Sequence, residues 1–562
     1  MAGEKDEPRR LRADGTAGTS LADRLGQLAN KLSWRTPVHR MRLRGRYPLQ
    51  LVDVPADPIP GRIAAGKALR EGRMLHAGES VALDALHRGG WRPAFGDYYQ
   101  SFAWLRDLAV SGPRGAGAPI AQGLMRPWLN RHGHVPDQAA WRADLWGWRI
   151  LFWTAYAPYI LDTRDADYRK DVLNALARGA RHLDRAADSA AQGLPRVAAW
   201  AGVIAAGLLI PGGDLRTAHG EAGIARALAQ AMHADGGLAS RSPAEQLRLV
   251  ELLSQLRAVY EVRARPPGGA IARALSQAVP TLLAVTLGDD GLSSWQSGGP
   301  VVGTRVEAAV VASGVRARAL EEPRDWGYQR LAQGEARLVM DAGPPPVAAL
   351  AKGGCASTLA FEFSDGAQRL IVNCGGAPGL PDELASALRS TAAHSTLILA
   401  DANSTAILDD GALGRGVTEV DVTRSETGAG SRVEGGHDGY VRRFGFSHRR
   451  RLLLATDGRS LEGEDRLVPT GRRKADAATP LAIRFHVAPD VEIVETADGH
   501  GALLRPGEAP AWQFRAIGGD VTVEDSLWVD FAGRPRATKQ LVVTADSPAE
   551  GIAIPWSFKR VK

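Results

Sequence analysis

The apolar residues of this chain change their period once, near Glu321-Glu322-Pro323, and that change restricts what it can fold into. From about Pro60 to Ala319 they recur every three or four residues, as on one face of a helix. Leu249, Leu252, Leu253, Leu256 and Tyr260 form such a stripe, opened by Ser242-Pro243 as N-cap and first-turn proline. Similar stripes run over Asp165–Ala187, Pro195–Ile210, Glu221–Met232 and Ile271–Leu287. Clusters of glycine and proline at Gly112–Gly117, Pro211-Gly212-Gly213 and Pro266–Gly269 punctuate them. From about Gly327 the period becomes two: Val420 and Val422 alternate with Glu419, Asp421 and Thr423. Short β-type runs recur at Arg369–Val372, Thr396–Leu399, Arg451–Ala455, Val521–Asp525 and Leu541–Thr544. Paired helices followed by many short strands predict an all-α domain and then an antiparallel β-sandwich. Periodicity alone leaves toroid, bundle and solenoid open for the helices.

A chain of 562 residues exceeds one ordinary core, in keeping with this division. The formal charge of +7 is concentrated at one end, since residues 1–46 carry 11 Lys/Arg against 5 Asp/Glu. The remainder is nearly neutral, which argues against a nucleic-acid surface on the folded body. Residues 1–46 therefore read as a basic arm. Its stretch Arg35–Arg46 is a solvated run or a peripheral contact for an anionic membrane face or an acidic polymer. No apolar run is long enough to span a bilayer, and the charged start MAGEKDEPRRLRADG shows no secretory signal. Two cysteines, Cys355 and Cys374, read as core thiols rather than a disulfide framework. No phosphate-binding glycine loop, Cys-x-x-Cys pair or nucleophile elbow occurs, and His132-Gly133-His134 reads as a turn. Eight of the 14 tryptophans lie between Trp34 and Trp153. Trp141, Trp146, Trp148 and Trp153 at helical spacing are expected to fill a core, the alternative being a sugar-stacking floor.

Histidines, tyrosine and arginines gather between Leu388 and Leu467: His394 opens one apolar run, His448 opens another ahead of three arginines, and His437-Asp438-Gly439-Tyr440 lies between. Other segments stand in order along the chain. They are Phe102–Leu108, Trp141–Arg149, His233–Leu238 with Ser240–Pro243, Gly327–Leu331 and Asp341–Pro345. Together, from about Leu49 onward, they resemble the heparinase II/III family of polysaccharide lyases. After the basic arm at 1–46 that the charge count gives, the resemblance implies an incomplete α/α toroid over 47–322 and a β-sandwich over 323–562. It further implies β-elimination on an acidic, uronate-containing glycan, and a place in the cell envelope or periplasm. The missing signal makes the cytoplasm the alternative. Elimination needs a cation or amide to neutralise the sugar carboxylate, a base for the C5 proton and an acid for the departing oxygen.

On that resemblance His394, Tyr440, Arg241 and Glu245 are the candidate catalytic residues. Arg142, Arg149, Asp235 and Arg389 are the candidate substrate-binding ones. His394 is also a candidate metal ligand, with His448 and Asp401 or Asp410 completing a structural zinc site, although no cofactor is required. The chain departs from the family at two places. Around Leu194-Pro195-Arg196 the Asn-His pair is missing, and after Ser242-Pro243 stand Ala244, Glu245 and Gln246 in place of Tyr-His. Glu245, Arg241, Tyr440 or Tyr328 could substitute. A non-catalytic glycan-binding or envelope-assembly protein on the same scaffold is the second expectation. A toroid glycoside hydrolase using Asp235 and Glu245 is the third.

Overall fold

The computed structural model describes residues 9–12, 41, 43, 45, 47–134, 140–347, 350, 353–471 and 478–561. Most of the basic arm, including nearly all of Arg35–Arg46, lies outside these residues. The helical half contains α1 (Ile63–Arg70), α2 (Pro93–Ser101), α3 (Trp104–Val110), α4 (Arg114–His132), α5 (Ala143–Ala155), α6 (Ala166–Ala186), α7 (Leu194–Leu209), α8 (Asp214–Ala231), α9 (Pro243–Val262), α10 (Gly269–Ala284) and α11 (Gly303–Ser313). They form an incomplete α/α toroid around one apolar core that includes Trp128, Trp141, Trp146 and Trp153, all buried. The tryptophans therefore pack edge to face with one another, and only Trp148 of the expected four is half-exposed. Two inner helices, α5 and α7, approach closely because Gly147 lacks a side chain: a Cβ there would lie 2.1 Å from Ala198 O. Helix α8 begins earlier than its apolar stripe, since its first turns (Asp214–Gly220) are mostly polar and give no periodic signal. Helix α10 ends at Ala284 rather than Leu287, and the last residues of that stripe enter a turn closed by the bridge Thr286↔Leu292.

The second half is an antiparallel sandwich. The strands are β1 (Arg9–Arg12), β2 (Arg73–His76), β3 (Glu79–Ala82), β4 (Tyr328–Gln333), β5 (Ala336–Asp341), β6 (Phe361–Asp365), β7 (Gln368–Val372), β8 (Leu397–Leu399), β9 (Glu419–Thr427), β10 (Gly430–His437), β11 (Phe446–Ala455), β12 (Ser460–Pro469), β13 (Thr479–Val487), β14 (Glu492–Glu495), β15 (Gly501–Arg505), β16 (Trp512–Ala516), β17 (Asp520–Val529), β18 (Pro535–Ser547) and β19 (Ile552–Arg560). One sheet runs β1-β9-β10-β11-β12-β19-β16-β15-β14. The other runs β17-β18-β13-β7-β6-β5-β4, with β8 on β13. β2 and β3 form a hairpin on the toroid, which touches the sandwich at Gly379, where a Cβ would meet Ala77 O. Alternating residues of both sheets, among them Val420, Leu452, Phe485 and Phe558, fill the space between them. The arm contributes one element that a solvated run does not predict: Arg9–Arg12 adds a strand to the edge of β9.

The sandwich seats on two toroid loops. Asp235 in the first accepts from the Asp325 and Trp326 amides at 2.7 and 2.8 Å, and Trp326 packs over Gly237, where a Cβ would clash at 2.2 Å. The second loop carries Asp289, which holds Arg369 of β7 through two bonds at 2.8 and 3.1 Å. Ser294 in the same loop donates its amide to buried Glu362 of β6.

Candidate functional site

Helix α9 organises the cleft between the two halves. Ser242 caps it, its hydroxyl accepting from the Glu245 amide, and Pro243 fills the first turn. The preceding residue, Arg241, has left-handed backbone (φ 57°) and a buried guanidinium. Nε donates to Trp326 O, Nη1 to Gly343 O and Pro344 O, and Nη2 to Gly327 O and to Asp341 Oδ1 at 2.6 Å. All five donors are used by protein oxygens. The expectation that Arg241 neutralises a sugar carboxylate is corrected: it is a clamp between toroid and sandwich. Arg149 meets the same fate, buried with bonds to the Gln100 and Ala140 carbonyls and stacked against Trp128 and Trp146. Asp235 spends both carboxylate oxygens on backbone amides of the junction, so neither sugar binding nor a hydrolytic pair with Glu245 suits it.

One turn past half-buried Glu245, Arg248 reaches an open mouth of the toroid. Its guanidinium lies 5.7 Å from the Trp148 ring centre and forms no ion pair among the described residues. Arg142 bridges Asp97 at 2.6 Å and Asp144 at 2.5 Å. Arg305 holds Glu251, and Arg62 forks onto Asp107. His76 lies flat on Tyr98 with centroids 4.2 Å apart, and its Nδ1 is 3.2 Å from an Arg62 nitrogen. Burial, then the charges of Arg62, Arg248 and Arg305, push His76 down to about 3, so the ring is neutral. Burial, partly offset by Arg142, raises the Asp97 carboxyl. The mouth thus offers an indole, an imidazole and four arginines, three of them paired with carboxylates; Arg248 beside Trp148 is the one of the four without an ion pair among the described residues, and that pair suits an anionic, ring-shaped ligand. Of these only Arg142 and Trp148 were singled out by sequence. Arg62, His76, Arg248 and Arg305 come from four separate elements, and no spacing links them.

On the sandwich side, His394 follows a single helical turn, Thr391–Ala393, and precedes β8. It is 3 % exposed; Nδ1 lies 2.7 Å from Ser390 O and so carries the proton. Nε2 has no hydrogen-bond partner among the described residues, and burial lowers the pKa, leaving a neutral imidazole with a free lone pair. Arg389 gives Nε to Gly354 O and Nη1 to Gly411 O, while Nη2 is buried without a partner. Tyr440 is buried, its hydroxyl bonded to Leu397 O at 3.0 Å, and burial raises its pKa. This corrects its reading as an acid at the cleft.

His437 and His448 lie between the sheets as cross-strand neighbours of β10 and β11. The Gly439 amide donates to His437 Nδ1, so Nε2 carries the proton toward His448 Nδ1 at 3.2 Å. His448 Nε2 then donates to Asp465 at 2.7 Å. Arg450 forks onto the same carboxylate, and Trp556 Nε1 donates to it at 2.8 Å. Burial depresses both histidines and leaves them neutral. The expected zinc set does not assemble: His448 is committed to Asp465, while Asp401 and Asp410 sit exposed in turns. Among the described residues no group of three His, Cys, Asp or Glu could hold a metal. The two cysteines are free, buried thiols pushed up by burial to about 11 (Cys355) and 12 (Cys374), as a core reading requires. No described helix is long and apolar enough to cross a membrane.

Residues 315–557 match the family model described as heparinase II/III-like, C-terminal. A relative from Caulobacter vibrioides, FtsZ-localized protein C, is 29 % identical over 557 residues, covering 93 % of this chain and 92 % of its own. Among solved structures, heparinase III superposes with a TM-score of 0.68 at 12 % identity, covering 98 % of this chain and 93 % of the other. A heparan sulfate lyase from Pedobacter heparinus gives 0.61 at 13 %, covering 98 % and 92 %. At such identities the two structures establish the shared toroid-and-sandwich fold.

Proposed function

Because this chain belongs to the heparinase II/III-like family and keeps its polysaccharide-lyase-like scaffold from end to end, we propose that it is a non-catalytic member that localises with FtsZ. The observation that carries this reading is the fate of the groups elimination needs. Arg241 and Tyr440 are bonded to the protein itself, and the Asn-His and Tyr-His pairs are absent. The length and evenness of the match to FtsZ-localized protein C support the localisation. The test has two parts. Imaging tagged protein together with FtsZ should give coincident signals, and a diffuse distribution overturns the localisation. Purified protein incubated with a panel of uronate polymers should produce no ultraviolet-absorbing unsaturated ends, with or without zinc; their appearance overturns the non-catalytic assignment.

A second reading is favoured by a specific observation, the free Nε2 of neutral His394 together with the arginine-rich mouth. On it the chain is a lyase of an acidic glycan: the mouth binds the polymer and His394 removes the C5 proton. Unsaturated product in the same incubation, lost in His394→Ala, would select it.

A further inference from the structure

We infer that the edge of β9 is an acceptor site for an extended basic segment of another protein, and that Arg9–Arg12 occupies it as a built-in competitor. The exposed edge of a sheet offers unpaired amides and carbonyls to any strand that can align with them. Here β1 pairs antiparallel with β9 in the register Arg9↔Val422, Arg10↔Asp421, Leu11↔Val420 and Arg12↔Glu419. The side chains match by charge. Arg10 and Arg12 stand on one face and straddle Glu419, each Nε 3.4 Å from a different carboxylate oxygen, while Arg9 pairs with Asp325. Leu11, the half-buried residue of the four, lies opposite Val420 of the sandwich core. The site therefore reads a basic residue beside Asp325 and two further basic residues that flank one apolar side chain.

The occupant is weakly held. It covers four of the nine residues of β9, and its arginine side chains are 42 %, 64 % and 73 % exposed. Exposed ion pairs of this kind contribute about 0–1 kcal/mol each and weaken with salt. Besides its backbone pairing with β9, the tether to the rest of the chain makes the contact intramolecular and so favours β1 over a free strand. A partner strand of the same pattern, carrying additional contacts, can therefore exchange with it.

The test uses full-length protein. A labelled Arg-Arg-Leu-Arg peptide with Gly-Ser flanks serves as probe, and the triple variant R9E/R10E/R12E releases the strap. By fluorescence anisotropy the peptide should bind the triple variant about tenfold or more tighter than the parent chain, the factor by which tethering commonly exceeds free binding. Added salt should weaken it, and a further Glu419→Lys should abolish it. Hydrogen exchange at residues 419–422 should quicken in the triple variant with β10–β12 unchanged. Equal binding to both proteins, no binding to a normally folded triple variant, or unaltered exchange at 419–422 overturns the proposal. So does a doubling of the parent chain's mass in solution, which would make a second copy the occupant.

Discussion

At the scale of single residues, burial decides which polar groups are available to a ligand. Arg241 illustrates this, since its neighbours in sequence gave no sign that five carbonyl and carboxylate oxygens would surround it. Arg241→Ala strands the buried Asp341 carboxylate and should cost about 3–5 kcal/mol, measured by denaturant unfolding. Arg241→Lys should recover only part of this, because an ammonium cannot reproduce the planar fork. Glu362 makes a second case. Burial pushes its pKa up to about 7, against the opposing pull of Arg369 and the Asn373 and Ser294 amides. The unfolded carboxyl titrates near 4.5, so the folded state holds its proton longer. Stability from this group is full below pH 4.5 and is lost as pH rises to about 7. Glu362→Gln should therefore stabilise the protein at pH 8 and do little at pH 4.5. Thermal melting at both values checks it, and equal shifts at both would contradict it.

At the scale of elements, the β10–β11 pair shows how a sequence signal for chemistry can arise from packing. The alternation of β11 places His448, Arg450 and Leu452 inward, and register sets His437 opposite His448. The histidines are structural acceptors and donors in a closed relay that ends on Asp465. Their depressed pKa values, with that of His394 and that of His486, the last pushed down to about 3, mean that these rings stay neutral while unfolded histidines protonate near 6.5. The unfolded state then binds more protons, so stability is complete above pH 6.5 and falls as pH drops below it. Each such ring contributes a slope of up to about 1.4 kcal/mol per pH unit. Urea midpoints measured from pH 7.5 to 5 should fall, and His448→Gln should flatten the fall.

At the scale of the whole molecule, the toroid and the sandwich are joined by the bonds of Arg241, Asp235 and Asp289 across their junction. Removing the clamp should uncouple them: calorimetry of Arg241→Ala should resolve two transitions where the parent chain shows one. The mouth is tested separately by R142A/R248A/R305A, which should weaken retention on an acidic polysaccharide column at low salt by tenfold or more, since each arginine supplies roughly a kcal/mol to a desolvated anion. An unchanged retention would remove the mouth as a binding surface. The sequence by itself determined the division into a helical half and a strand-rich half, because apolar period records which face of each helix or strand must be buried, and the family resemblance narrowed the helical half to a toroid. It placed the α9 cap at Ser242-Pro243, the tryptophan core, the alternating valines of β9 and short runs within β7, β11 and β18. It also marked the missing Asn-His and Tyr-His pairs. Only tertiary structure decided the fate of each polar side chain. Arg149, Arg241, Asp235 and His448 look in sequence like Arg142, Arg248, Asp97 and His76, yet the first four hold the interior or the junction together, while the latter four line the mouth, where Arg142 and Asp97 pair with each other. The physical reason is that a hydrogen bond is made to whatever acceptor folding brings near, often a hundred residues away, and no local spacing encodes that neighbour.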